Sequence, residues 1–202
     1  MGQDNCGKEG ASFMKKFVFL LLLVAATVVL VEGCGRKGSG NQVALTKESA
    51  ESTAAGIVWS YPSGWTKGGA RPMRVATYTV PAAEGDTETG ECAVFFFGTG
   101  QGGDVNSNID RWAAQFENAG QPEKTTMKVN GMNVTRVQIA GTYLSPGGAM
   151  MESQGKKANY RLLGAIVEAP EGLVFFKFTG PLKTVEAAEA GFDAMIQSVS
   201  KP

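Results

Sequence analysis

The sequence YRLLGAIVEAPEGLVFFKF, residues 160–178, decides the fold class of this chain. It contains two apolar runs, Tyr160–Glu168 and Leu173–Phe178, separated by the turn-forming residues Ala169-Pro170-Glu171-Gly172. Short runs rich in β-branched and aromatic side chains are typical of strands, and proline with glycine is typical of a turn. The segment therefore predicts a hairpin of two antiparallel strands.

A second hairpin is predicted at Asn130-Gly131, between the runs Thr126–Val129 and Met132–Ala140. Asparagine followed by glycine is the strongest short-range hairpin signal, because both residues readily adopt positive φ. Three further strand signals precede it along the chain, at Gly56–Trp59, Arg74–Val80 and Cys92–Phe97. We therefore expect an antiparallel sheet of about six strands.

Two segments carry apolar residues at helical spacing. Asp104 is the candidate N-cap of the first helix, and Thr184 is that of the second, with Pro181 just upstream. The apolar positions are Val105, Ile109, Trp112, Ala113 and Phe116 in the first segment, and Val185, Ala188, Phe192, Met195, Ile196 and Val199 in the second. Single helices among antiparallel hairpins predict an α+β fold with two main helices on one or both sheet faces, and not a doubly wound parallel sheet.

The beginning of the chain has the features of a bacterial export signal. Lys15-Lys16 precedes the uncharged apolar run Phe17–Val31, and a small residue follows just before Cys34. The sequence Val31-Glu32-Gly33-Cys34 resembles the lipobox of bacterial lipoproteins, with Glu32 at a position that normally holds a small or apolar residue. That resemblance implies that Cys34 carries palmitate-type acyl chains and becomes the mature N-terminus.

Two other interpretations of this segment remain open, a plain signal peptide and an uncleaved membrane anchor. A spanning helix needs about 20 apolar residues to cross the hydrocarbon core. Phe17–Val31 provides fifteen, so a cleaved lipoprotein signal is the favoured interpretation. Met14 stands directly before the basic pair and is a better translation start than Met1.

We therefore expect three regions. Residues 1–33 form a leader and signal peptide, residues 34–55 hold the lipidated cysteine and a flexible tether, and residues 56–202 form a single α+β domain. The acyl chains would hold that domain at a membrane of the bacterial cell envelope, facing the periplasm or the exterior. More than one chain makes the anchor stable, at about 0.8 kcal/mol per buried CH₂ group.

The composition excludes several classes of site. The chain contains 19 basic and 19 acidic residues and no histidine. The absence of histidine excludes a Ser-His-Asp triad, a Cys-His pair and most zinc sites, and we expect no metal and no cofactor. The neutral charge balance provides no field that would attract nucleic acid. Cys92 lies in a predicted strand, so we expect a small buried hydrophobe and not a nucleophile.

Two glycine-rich loops are the candidate binding surface. Residues 98–103 match the G-x-G-x-x-G pattern of dinucleotide sites, but the next predicted strand opens a hairpin and Asp104 would repel a phosphate. We therefore expect a turn there and no nucleotide. Because glycine-rich connections often carry function, the candidate binding residues are those of this loop and of the loop Ser145–Lys157, namely Gly98, Gly100, Gly103, Met150 and Met151.

Several segments of the chain resemble an uncharacterised family of bacterial secreted proteins and lipoproteins. They are Cys92–Gly98, Asn108–Trp112 with Gln115-Phe116, Tyr160–Ile166 and Phe175–Pro181. Their order and the two-helix layout also resemble the Mog1/PsbP-like α+β sandwich. That architecture hosts photosystem-associated and nuclear-transport adaptor proteins, so the resemblance implies a binding role without catalysis.

Two hypotheses for function follow. The first is an envelope lipoprotein whose non-catalytic domain binds a protein partner in the envelope. The second is a small-ligand carrier or a carboxylate-based hydrolase that works without histidine. The second hypothesis requires a concave pocket, and hydrolysis would further require two or more converging Asp or Glu side chains in it.

Overall fold

The structure is a computed structural model, and it describes residues 43–47, 53–145 and 155–202. These residues lie in one compact unit, Gln42–Pro202. The predicted leader, most of the predicted tether, Cys34, Met150 and Met151 fall outside the described residues. Across the described ranges, no helix is both long enough and apolar enough to cross a membrane.

The described elements follow one another in a fixed order along the chain. They are β1 (Leu45–Lys47), β2 (Ser60–Pro62), β3 (Thr66–Lys67), β4 (Ala76–Val80), β5 (Gly90–Phe95), α1 (Val105–Ala113), β6 (Phe116–Glu117), β7 (Glu123–Val129), β8 (Met132–Leu144), β9 (Lys156–Ala169), β10 (Gly172–Pro181) and α2 (Leu182–Gln197). Strands β1 and β2 form a small antiparallel sheet of their own.

The other eight strands form the main sheet. Their order is β3-β4-β5-β10-β9-β8-β6, and β7 also pairs with β8. All of these pairs are antiparallel, so the predicted α+β class is confirmed. The sheet has more strands than the predicted six, because β3 and β6 contain two residues each and are too short to produce an alternating pattern.

Both predicted hairpins are present and extend further than their apolar runs. Asn130 and Gly131 both have positive φ, 47° and 83°, as a two-residue type I′ turn requires. At the other hairpin, Gly172 pairs with Ala169 across the turn. The predicted strand at Gly56–Trp59 is wrong, because these residues make only isolated bridges, from Ile57 to Ala54 and from Val58 to Ser200.

Apolar side chains occupy both faces of the sheet. One face packs against α2, and its largest buried residues include Trp59, Tyr78, Phe176, Phe178 and Phe192. The other face packs against α1, with Ile109, Trp112, Leu162, Ile166 and Phe175 in its core. Successive residues of β10 alternate between the two cores, and this alternation puts Phe175 on the α1 face. Lys177 lies two residues further along and shares that face.

Helix α1 lies close to the sheet at Trp112 and Gly164. A Cβ atom added at Gly164 would collide with the Trp112 ring, so the glycine lets the indole lie directly on β9. Asp104 caps the helix as predicted, since its side chain accepts a hydrogen bond from the Ser107 N–H at 3.0 Å. With only nine residues, α1 covers part of its sheet face and leaves the rest to polar side chains.

The predicted N-cap of the second helix is wrong. Helix α2 begins at Leu182 with Pro181 as N-cap, and Thr184 lies inside the first turn. Asp86, from the connection between β4 and β5, accepts hydrogen bonds from the Thr184 N–H at 2.9 Å and hydroxyl at 2.7 Å. A side chain distant in sequence therefore satisfies one of the free N–H groups of the helix start.

Candidate ligand-binding cleft

A cleft of about 620 Å³ opens on the face of the main sheet that also carries α1. Four cationic side chains and two carboxylates line it, together with aromatic and small residues. The charged residues are Arg71, Arg74, Lys157, Lys177, Glu88 and Glu91, and the aromatic ones are Phe95, Tyr143 and Tyr160. We call this site the polar cleft.

The strand register explains why these side chains meet. Lys177 of β10 pairs with Ala93 of β5, and Thr179 pairs with Glu91. Residues two apart on a strand share a face, so Glu91, Ala93 and Phe95 face the cleft beside Lys177. The long strands β8 and β9 bring Tyr143 and Tyr160 to the same opening.

Glu91 is held by two arginines at one side of the cleft. Its carboxylate lies 2.9 Å from Nη1 of Arg74 and 3.1 Å from Nη1 of Arg71. The Arg74 guanidinium also lies over the Phe95 ring, with its Cζ 5.6 Å from the ring centroid. One carboxylate therefore faces two guanidinium groups, and positive charge remains at this side.

Glu88, the second carboxylate of the cleft, is also held by neighbouring side chains. It forms an ion pair with Lys157 and accepts a hydrogen bond from the Tyr160 hydroxyl at 2.7 Å. The hydrogen bond from Lys157, followed by that from Tyr160, lowers the pKa of Glu88 below its ordinary value. The Tyr160 ring stacks on Tyr143, with centroids 5.7 Å apart and planes 4° from parallel.

Lys177 is the least solvated cation of the cleft. Its Nζ donates a hydrogen bond to the Gln115 side-chain oxygen at 2.5 Å and lies 5.8 Å from the centroid of Tyr143. Within the described part of the chain, no carboxylate forms an ion pair with it. Burial, reinforced by the nearby Arg74 charge and opposed by Glu91, lowers the pKa of Lys177 to about 8.

An apolar pocket of about 140 Å³ adjoins the polar cleft. Four aromatic and four polar residues line it, namely Phe95, Phe97, Trp112, Phe175, Asn108, Arg111, Gln115 and Lys177. Phe95 and Phe97 are nearly parallel, with centroids 6.0 Å apart, and Phe97 lies 5.8 Å from Phe175. Phe95 and Lys177 line both cavities. We call this second site the aromatic pocket.

The polar cleft is suited to binding anions, and its two carboxylates are not arranged as the acid–base pair of a carboxylate hydrolase. It contains two carboxylates, Glu88 and Glu91, which is the number that the hydrolase hypothesis requires. Each of them is paired with a cation, however, and the pKa of Glu88 is lowered. A general acid needs a raised pKa. Among the described residues, no group of three His, Cys, Asp or Glu side chains is arranged to hold a metal ion.

The structure places the predicted glycines away from the polar cleft. Gly98, Gly100 and Gly103 lie in the connection between β5 and α1 and have positive φ of 102°, 71° and 79°. Their loop borders the aromatic pocket, because the Gly102 carbonyl accepts a hydrogen bond from Asn108 Nδ2 at 2.8 Å, and Asn108 lines that pocket. None of the three lines either cavity.

The G-x-G-x-x-G match lacks the context of a dinucleotide site. Helix α1 leads into β6, which pairs antiparallel with β8, whereas a dinucleotide site requires a parallel strand after the helix. Cys92 is fully buried in the core on the α2 face, and burial raises the pKa of its thiol. Both observations agree with the expectations from sequence.

Of the residues that line the polar cleft, only Ser145 and Lys157, at the two ends of the nominated loop, belong to a binding segment predicted from sequence. A signal was available for Lys177, because it is the only charge in the run Leu173–Phe178. A lysine inside a buried strand must either reach solvent or line a polar cavity. Arg71, Arg74 and Glu88 lie in loops or at strand ends, where charged residues are common, and nothing local distinguishes them.

Neither a protein-family model nor a curated protein matches the sequence. Among solved structures, that of the cyanobacterial PsbP protein (CyanoP) from Synechocystis is similar, with a TM-score of 0.51 and 14% identity, and the match covers 84% of this chain and 99% of that chain. A protein of unknown function from Pseudomonas aeruginosa gives a TM-score of 0.44 at 10% identity, covering 76% and 94% of the two chains. At these identities a likeness shows the fold alone, and the second likeness is too distant to add to it. The chain therefore has a PsbP-like α+β fold, as the resemblance in the sequence implied.

Proposed function

We propose that this protein is a lipoprotein of the bacterial cell envelope whose domain binds an acidic small molecule without transforming it. The observation that carries the proposal is the polar cleft, where four cations face only two carboxylates. The export signal and lipobox-like sequence ending at Cys34 support the membrane anchor. A PsbP-like fold is compatible with a non-catalytic domain.

Lys177 is the residue that favours an anionic ligand most strongly. Its pKa of about 8 leaves it mostly protonated at neutral pH, and its Nζ is held by the neutral oxygen of Gln115. A half-buried ammonium group without a counterion is costly, and a carboxylate placed beside it would offset that cost. Arg74 offers a second donor group at the same opening.

The shape of the site favours a small molecule over a protein partner. The charged groups line a cavity of about 620 Å³, a volume within the range of about 300–1,000 Å³ typical of small-molecule sites. Lys177 is only partly exposed and lines this cavity, so a flat protein surface would contact it poorly. A small ligand with a protruding acidic group would reach Lys177.

Binding is tested by thermal unfolding of the full-length protein in detergent, with acetate or inorganic phosphate added at constant ionic strength. An anion present at ten times its Kd stabilises the folded state by about 1.4 kcal/mol, which raises Tm by about 4 °C for a domain of this size. We expect that rise in the wild type and its loss in Lys177→Met and Arg74→Ala. Lys128→Met, at an exposed lysine outside the cleft, is the matched control. Equal rises in all variants would overturn the proposal.

The anchor is tested separately, by mass spectrometry of the protein recovered from bacterial membranes. We expect a mature chain that begins at Cys34 with a diacylglyceryl group on its sulfur. Cys34→Ser should keep the leader and lose the lipid. A mature product that retains residues 1–33, or one with an unmodified Cys34, would contradict the anchor.

A further inference from the structure

The polar cleft and the aromatic pocket adjoin each other. Lys177 and Phe95 belong to the walls of both, so the ammonium group stands where the two cavities meet. Gln115 lines the aromatic pocket and accepts the hydrogen bond from Lys177. A molecule that contacts the lysine from the polar side therefore has an apolar cavity directly beside its charged end.

The size of the aromatic pocket selects the apolar group. The pocket measures about 140 Å³, and an apolar cavity of about 150 Å³ is known to hold one benzene molecule. Four of its eight lining residues are aromatic, and aromatic rings attract one another at offset or edge-on orientations. One six-membered ring therefore matches the pocket in both volume and chemistry.

The glycine-rich loop shapes this pocket through Gly102. A Cβ atom at that position would lie 2.7 Å from Cδ2 of Phe97 and 3.2 Å from Cε2 of Phe175. The backbone of Gly102 also has a φ of 90°, which disfavours any side chain. Glycine thus allows the loop backbone to pack directly against Phe97 and Phe175, two of the rings that line the pocket.

We propose that a single arylalkyl carboxylate occupies both cavities, with its ring in the aromatic pocket and its carboxylate on Lys177 at the mouth of the polar cleft. This inference rests on the proposed anion binding and specifies the class of ligand. The ring supplies affinity through apolar burial, and Lys177 with Arg74 selects the charge. A ligand with only one of these two features would fill half of the site.

The test compares three probes on the full-length protein by isothermal titration calorimetry at pH 7. The probes are 3-phenylpropionate, butyrate, which keeps the charge without the ring, and 3-phenylpropan-1-ol, which keeps the ring without the charge. We expect 3-phenylpropionate to bind about tenfold more tightly than either of the other two, which corresponds to about 1.4 kcal/mol.

Two variants assign the preference to the two halves of the site. Phe97→Ala should reduce the advantage of 3-phenylpropionate over butyrate to less than twofold, and Lys177→Met should reduce its advantage over the alcohol in the same way. Phe97→Leu keeps the apolar volume and should retain at least a threefold preference. If Phe97→Ala fails to fold, Phe97→Leu can still be measured. Each ratio is measured within one variant, so a general loss of stability does not imitate the result.

The outcomes separate this inference from the proposed function. If 3-phenylpropionate and butyrate bind equally and both depend on Lys177, anion binding holds and the aromatic ligand is wrong. If the alcohol binds as well as the acid, the pairing of ring and charge is wrong. If neither acid binds, both proposals fail.

Discussion

Lys177 on β10 and Gln115, two residues after α1, are joined by a hydrogen bond of 2.5 Å from Nζ to the side-chain oxygen. This bond connects the centre of the sheet to the segment that leaves the short helix. It also fixes the ammonium group at the junction of the polar cleft and the aromatic pocket. Lys177 therefore places an ammonium group in the walls of both cavities.

Lys177→Met should stabilise the protein at pH 7. The pKa of Lys177 falls from an ordinary 10.5 to about 8, a change that corresponds to roughly 3 kcal/mol at full burial. We expect less, about 1 to 2 kcal/mol, because the side chain is only half-buried and water screens it. Urea denaturation measures the gain, with Lys128→Met as the control that should change stability by less than about 0.5 kcal/mol.

The same substitution should change how stability depends on pH. Between pH 8 and 10.5 the unfolded chain holds the Lys177 proton and the folded chain has released it, so this group makes stability rise with pH in that window. The advantage of Lys177→Met should therefore be greatest below pH 8 and nearly absent above pH 10.5. An advantage that stays constant from pH 7 to pH 10 would contradict a depressed pKa.

Gly164→Ala should destabilise the fold strongly. The new methyl group would collide with the Trp112 ring, and overpacking of this kind typically costs about 1–3 kcal/mol. Gly120→Ala is the matched control, because no atom lies within 4 Å of a Cβ at Gly120. Urea midpoints should fall for the first variant and stay within error for the second, and a similar fall in both would show that the contact is unimportant.

Asp86→Ala should weaken the start of α2. It removes the acceptor for both the Thr184 N–H and the Thr184 hydroxyl, and loss of a helix cap typically costs about 1 kcal/mol or somewhat more. Glu84→Ala, at an exposed position in the same connection, should have little effect. Hydrogen exchange at the first turn of α2 should accelerate only in Asp86→Ala. Unchanged exchange there would mean that the helix start does not depend on Asp86.

Met73→Gly should stabilise the protein slightly. Met73 has a φ of 63° in the turn closed by the Arg74 N–H and the Arg71 carbonyl oxygen at 3.3 Å, and its side chain is 74% exposed. Glycine relieves the left-handed strain, so we expect a gain of about 0.5–1 kcal/mol. Met73→Ala, which keeps the strain, should leave Tm unchanged, and a gain in that variant would point to the side chain instead.

Local chemistry was sufficient to predict much of the architecture. The Asn130-Gly131 turn and the Asp104 cap each depend on residues within a few positions of one another, and both are present as expected. The two-residue strands β3 and β6 were missed because they exist only through their partners. Thr184 was wrongly assigned as a cap, because its first-turn N–H is satisfied by Asp86 from 98 residues away.

By itself, the sequence determined the antiparallel α+β class and the exclusion of histidine chemistry, because alternation, turn residues and composition are properties of short segments or of the whole list of residues. Only the tertiary structure decided which side chains meet in the polar cleft. The polar cleft requires β5 to lie beside β10, so that Lys177 pairs with Ala93 and Phe95 with Phe175. Such pairings bring together residues separated by some 80 positions, and no local pattern in the chain specifies them.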